Sequence, residues 1–144
     1  MITDTLPPPA GGTAPGDRLD TPVREIMRPG VIVLSDDASV LQAQRALIAH
    51  GVHAVLVIER FSGRPIGWVT TRGLLHWCER DASLTSARSA VSEPAIAIEP
   101  SASAREALDT LDRAGATRLL VSRQIDGLPE GVVADVDLLR LVSR

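Results

Sequence analysis

Short apolar runs and stretches of helical period succeed one another along most of this chain. Residues 31–34, Val-Ile-Val-Leu, read as a short buried strand. Asp36, Asp37 and Ser39 then offer helix caps, and Val40, Ala43, Leu47 and Ile48 recur at helical spacing until Gly51 ends the helix. Residues 54–58 form a second apolar run. Arg60-Phe61-Ser62-Gly63 is a turn of hairpin length, and 65–70 predicts a third strand. A helix over 72–79 closes the unit. Ahead of it, an amphipathic piece at 23–27 is stopped by Pro29-Gly30. The predicted order is strand, helix, strand, strand, helix.

Sixty-four residues on, the chain repeats itself without a gap. Arg24 meets Arg88, Ile32 meets Ile96, Ser39 meets Ser103 and Ala43 meets Ala107. Leu47 meets Leu111, Gly51 meets Gly115, and Leu56-Val57 meets Leu120-Val121. Gly63 meets Gly127, Pro65 meets Pro129, Gly67 meets Gly131, Val69 meets Val133, and Leu74-Leu75 meets Leu138-Leu139. Turn residues and core residues are kept together over the whole unit, which marks an internal repeat. In the second copy, 131–139 read as a strand running into a helix. Val132 and Val133 are β-branched, Asp135 is placed to cap the helix, and Asp137 falls in its first turn. The expected division is a disordered Pro- and Gly-rich leader at 1–21, repeats at 22–79 and 87–144, and a linker at 80–86. Two copies, each too small to cover both faces of its sheet, should pack about a pseudo-twofold axis. The fold class is α/β (α+β), built from two β-α-β-β-α repeats.

Composition narrows the function. The 144 residues include one Phe, two Trp and no Tyr, so the core must be built from Ala, Val, Leu and Ile. The net charge of -3 is spread over interspersed acids and bases, which leaves no basic face for nucleic acid. The apolar runs fall far short of a membrane span, and the first ten residues lack a secretory signal pattern. A single cysteine, Cys78, excludes an internal disulfide framework and suits a reducing compartment. A soluble cytoplasmic protein is expected.

The repeated pattern of Val-Arg-Glu-Ile-Met, strand, helix ending in Gly, strand, then Gly-Val-Val-x-x-x-Asp-Leu-Leu resembles a tandem pair of CBS domains, the Bateman module, over residues 22–144. The resemblance implies a stand-alone regulatory or sensing module. Such modules bind adenine nucleotides (AMP, ADP or ATP), and less often S-adenosylmethionine or NAD, in clefts between the repeats. They form disc-like homodimers and regulate a partner protein. The family's signature is Gly-x-x-(Thr/Ser)-x-x-(Asp/Asn), in which the acid holds ribose hydroxyls and the hydroxyl residue lies near ribose and phosphate.

This chain splits that signature. The second copy keeps Gly131 and Asp137 but has Ala134 in the hydroxyl position; the first keeps Gly67 and Thr70 but has Gly73 in the acidic position. By the resemblance, the Asp137 cleft would combine Met27, Ile32, Val52 and His53 around a base, with Arg118 toward phosphate. A second, weaker cleft would combine Thr70 and Gly67 with Val91, Ile96, Ala116 and Thr117. If one site works, it is the Asp137 site.

Each residue also has a plainer reading. Asp137 would suit a helix start by charge alone, at about 0.3–1 kcal/mol. Thr70 would serve as a helix cap and Arg118 as a solvated strand charge. His50 and His53 lack acidic or Cys partners at metal spacing, so no metal site is expected. Cys78, inside Leu74-Leu75-His76-Trp77-Cys78, reads as a packing residue. No nucleophile elbow, phosphate loop or base–nucleophile pair is present, so no enzyme is expected. The closing helices are apolar on more than one side, through Leu74, Leu75, Trp77 and Cys78 in one copy and Leu138, Leu139, Leu141 and Val142 in the other. That surplus predicts a homodimer. The competing reading of the whole chain is a scaffold with degenerate sites, serving only dimerisation or protein contact.

Overall fold

The computed structural model describes residues 15–77, 79–123 and 129–144. The first fourteen residues of the leader, Cys78 and the turn at Gly127 lie outside the described residues. The elements are α1 (Pro15–Arg18), β1 (Arg28–Pro29), β2 (Val33–Ser35), α2 (Val40–His50), β3 (Ala54–Ile58), β4 (Pro65–Thr70) and α3 (Thr71–Leu75). The second copy follows with β5 (Glu93–Pro94), β6 (Ala97–Ile98), α4 (Ala104–Ala114), β7 (Arg118–Val121), β8 (Gly131–Ala134) and α5 (Asp135–Val142). A single 3-10 turn opens each copy, at Val23–Glu25 and Ala87–Ala90.

Helices α2 and α4 show why the same pattern folds twice. Ser39 accepts a hydrogen bond from Gln42 N (3.1 Å) and Ser103 one from Glu106 N (3.1 Å), so each serine caps its helix. Gly51 and Gly115 end them at φ of +61° and +62°, a region that β-carbon-bearing residues enter at a cost of roughly 1–2 kcal/mol. Between cap and stop, Val40, Ala43 and Leu47 on one helix, and Ala104, Ala107 and Leu111 on the other, are buried. The alanines let each helix lie close to its sheet.

The two four-stranded sheets have the orders β2-β3-β4-β5 and β1-β8-β7-β6. Each therefore takes its last strand from the other repeat. Arg28 pairs with Val132, and Trp68 pairs with Glu93, both antiparallel. The exchange continues past the strands. Val23 is fully buried in the core of the second copy, and Ala87 in that of the first. Val23 N donates to Ala102 O (2.8 Å) and Ala87 N to Ala38 O (2.7 Å), the same bond made twice across the pseudo-twofold axis. Alternation along the strands then builds four layers. Val55, Val57 and Val69 face α2 and α3, Leu119, Val121 and Val133 face α4 and α5, and Leu56, Trp68 and Leu120 meet between the sheets.

Three expectations change. Residues 15–21, expected in the disordered leader, are folded: Leu19 packs on the second core, and the carbonyls of Thr21 and Leu19 accept from Ala104 N (2.8 Å) and Arg105 N (2.9 Å). Those two donors begin a helix and have no partner within it, so the preceding chain supplies one. Arg18 also reaches the carbonyls of Val142 and Arg144, tying this segment to the C-terminus. The first repeat's strand lies at Val33–Ser35 rather than 31–34, because the residues before it cross toward the other sheet. Helix α3 ends at Leu75 rather than 79; Gly73 at its centre lowers helix propensity by roughly 1 kcal/mol relative to Ala. No helix among the described residues is long and apolar enough to cross a membrane.

Candidate functional site

Because β1 lies on β8, the segment that follows it passes over the start of α5 and encloses a cleft of about 660 Å³ between the repeats. Ile32, Val52, His53, Ala134, Asp137 and Arg118 all line it, so most of the residues assigned to the Asp137 site are brought together. Met27 and Gly131 are not in its wall. Their places are structural: a β-carbon on Gly131 would run into the Arg28 carbonyl oxygen and lie 2.9 Å from Met27 Sδ, so Met27 packs over the glycine and onto the second core.

Asp137 is only 6% exposed. Its Oδ2 accepts from Ala134 N at 2.8 Å, which is half of a reciprocal helix cap. Its Oδ1 faces Arg28 Nε at 3.4 Å and Arg140 Nη1 at 3.8 Å. The expectation that Asp135 caps this helix is therefore corrected. Ala134 stands in the cap position, Asp135 is the first helical residue with its carboxylate on Val136 N (2.7 Å), and the capping side chain is Asp137. A methyl group at Ala134 cannot accept a hydrogen bond, and the acid three residues on takes over its N–H.

Among the wall residues that were not assigned to the site from the sequence, three carry hydrogen-bonding groups that bear on its chemistry. Arg140 is one helical step from Asp137, a spacing that was readable. Arg28 reaches the carboxylate only through the strand exchange, which no local pattern announces. Trp68, opposite Val132 in the repeat alignment, is 1% exposed, and its indole N–H has no hydrogen-bond partner among the described residues. A buried orphan donor in a cleft wall is a group that a ligand can satisfy.

A second cavity of about 590 Å³ shares His53 and Arg118 with the first. Thr70 and Thr117 line it, as expected for the weaker cleft; Gly67, Val91, Ile96 and Ala116 do not. Val91 packs on the first core, over Gly67; Ile96 and Ala116 pack on the second. The Thr70 hydroxyl caps α3 by accepting from Gly73 N (3.0 Å) and lies 3.1 Å from Ser92 Oγ. A β-carbon on Gly73 would come 2.9 Å from that same Ser92 oxygen, so the position that would carry an acid is also crowded. Glu93 reaches across to Thr117, accepting from its N–H (3.1 Å) and its hydroxyl (3.0 Å), with Arg118 Nε at 3.9 Å.

Several solved structures share this architecture. The CBS domain of the bacterial CNNM/CorC family Mg2+ transporter superposes with a TM-score of 0.77 at 23% identity, covering 89% of this chain and 79% of its own. The same domain in complex with ATP gives 0.75 at 23%, covering 88% and 90%. A CBS domain protein from Pyrobaculum aerophilum, complexed with AMP, gives 0.71 at 18%, covering 86% and 100%. Identities this low carry the fold alone. No curated protein matches the sequence. The CBS-domain family model matches residues 23–80 and again 87–144, which spans both copies and leaves only the leader and the linker between them. With its paired matches and its two interlocked sheets, the chain belongs to the CBS-domain family and carries the domain as a tandem pair.

Proposed function

We propose that this protein is a regulatory sensor that binds an adenine nucleotide in the Asp137 cleft and thereby alters the surface it presents to a partner protein. The observation that carries the reading is a nearly buried carboxylate at the base of a cleft of about 660 Å³ whose walls come from both repeats. Ile32, Val52 and Val132 provide apolar contact for a purine, and the Trp68 N–H provides a directed donor. Asp137 Oδ1 can accept from ribose hydroxyls in place of Arg28, whose guanidinium is then free for phosphate. The CBS neighbours solved with ATP and AMP support the ligand class. Bridging both repeats gives the ligand the differential affinity for two arrangements that any regulatory effect requires.

The protein also forms a homodimer on this reading. Leu75 on α3 and Leu139 on α5 occupy equivalent positions and are 67% and 63% exposed, a matched pair of apolar side chains turned to the surface. The scaffold reading, in which the clefts bind nothing, draws on one observation: Glu93 already fills the donors at Thr117.

The deciding experiment is thermal unfolding of the full chain with AMP, ADP, ATP, NAD or S-adenosylmethionine, with Trp fluorescence read in parallel. A ligand at a hundredfold excess over Kd adds about 2.7 kcal/mol of apparent stability. An adenine ligand that stabilises wild type, perturbs the emission of Trp68 and loses its effect in Asp137→Asn supports the sensor. A flat response across the panel establishes the scaffold.

A further inference from the structure

The two cavities share a wall, but their charges are paired differently. In the first, Asp137 already faces both Arg28 and Arg140. The second is lined by Arg72 and Arg118 with one carboxylate, Glu93, and by the imidazoles of His53 and His76 and the hydroxyls of Thr70 and Thr71. Arg72 has no ion pair among the described residues. Arg118 borders both cavities, and its buried Nε lacks a hydrogen-bond partner among the described residues, Glu93 standing at 3.9 Å. The second cavity also has no acid at the position equivalent to Asp137, because Gly73 stands there and Ser92 crowds it, and its one carboxylate, Glu93, is engaged by Thr117. Nucleoside recognition is thus concentrated on one side of the Arg118–His53 wall, and an arginine with no ion pair among the described residues, Arg72, lies on the other.

We infer that the two cavities together form one elongated site, with the nucleoside in the Asp137 cleft and a phosphate tail running past Arg118 into the cavity of Arg72 and His76. The inference rests on the nucleotide reading above and narrows it to nucleoside di- and triphosphates. A monophosphate reaches Arg118 and stops there; a longer tail meets Arg72, which a monophosphate leaves unused, and the ring N–H of His76. Glu93 is the internal competitor for Arg118. An incoming tail must draw the guanidinium away from it, which connects occupancy of the cleft to β5, the strand that the second repeat lends to the first sheet.

The test measures affinities of wild type, Arg72→Gln, Arg72→Lys and Glu93→Gln for adenosine, AMP, ADP, ATP and inorganic tripolyphosphate by calorimetry. Wild type is expected to bind ATP at least tenfold more tightly than AMP, with ADP between. Arg72→Gln should collapse the ATP-to-AMP ratio, Arg72→Lys should keep most of it, and Glu93→Gln should raise it. Tripolyphosphate should bind wild type and lose binding in Arg72→Gln. If AMP and ATP bind equally, or if the ratio is the same in Arg72→Gln, the elongated site is overturned while the nucleotide cleft stands. If no adenine compound binds but tripolyphosphate does so through Arg72, the nucleotide reading falls and the basic cavity remains as an anion site. If nothing binds, both are overturned.

Discussion

Asp137 holds its helix as well as facing the cleft, and removing it should therefore cost stability before any ligand is added. In Asp137→Ala the Ala134 N–H loses a charged acceptor at 2.8 Å. A hydrogen bond to a charged group contributes roughly 1.5–3 kcal/mol. The flanking pairs add less, because the Arg28 and Arg140 side chains are 54% and 64% exposed. Such solvated pairs are worth about 0–1 kcal/mol each. A total loss of about 2–3 kcal/mol follows for Asp137→Ala, and about 1 kcal/mol for Asp137→Asn, which keeps an acceptor oxygen but drops the charge. At this chain length about 3–4 °C of Tm accompanies each kcal/mol, so the alanine variant should melt roughly 6–12 °C below wild type. Urea and thermal unfolding of the three proteins without ligand would measure it. An alanine variant within about 0.5 kcal/mol of wild type, or equal losses in both variants, would refute the capping role. The result also governs how binding is read: a ligand's effect must be taken as the shift within each variant.

Two further outcomes follow from the packing. Gly67→Ala places a β-carbon 2.6 Å from the Glu93 carbonyl oxygen, and Gly131→Ala drives one into the Arg28 carbonyl. Each should destabilise by about 1–3 kcal/mol and speed amide exchange at Ser92 or Gly30, the residues beside the exchanged strands; unchanged stability in either variant would show that the strands give way freely. Leu75→Arg and Leu139→Arg should convert the proposed dimer to monomer by light scattering without lowering monomer stability, since both side chains are largely exposed; a wild type that is already monomeric would remove the dimer.

Where a structural choice is local, the sequence carried it. Strands at 54–58 and 65–70 are dense in Val, Leu, Ile and Trp, and they appear at those bounds. Both long helices stop where a glycine permits a left-handed residue. The cleft was legible in part for the same reason: Asp137, Ala134, Ile32, Val52, His53 and Arg118 were grouped by repeat position and family resemblance, and all six line one cleft. What escaped was non-local. β1 and β5 are two residues long, and no apolar alternation marks them. Their pairing with the opposite repeat is decided by the register of distant strands, so Arg28 beside Asp137 and Glu93 beside Thr117 could not be read from spacing. The Asp135 assignment failed differently. Two acids in one helical turn compete for the same N–H groups, and geometry chose the one that can reach back.

The exchanged strands also separate the unit of repetition from the unit of folding. A gene encoding either copy alone would make a chain whose sheet lacks its last strand and whose core lacks Val23 or Ala87. The two copies are thus bound to a common fate after duplication: a substitution in one is felt in the core of the other. The differences between them, Asp137 against Gly73 and Arg118 against Ala54, are then differences within a single folded body rather than between two independent ones.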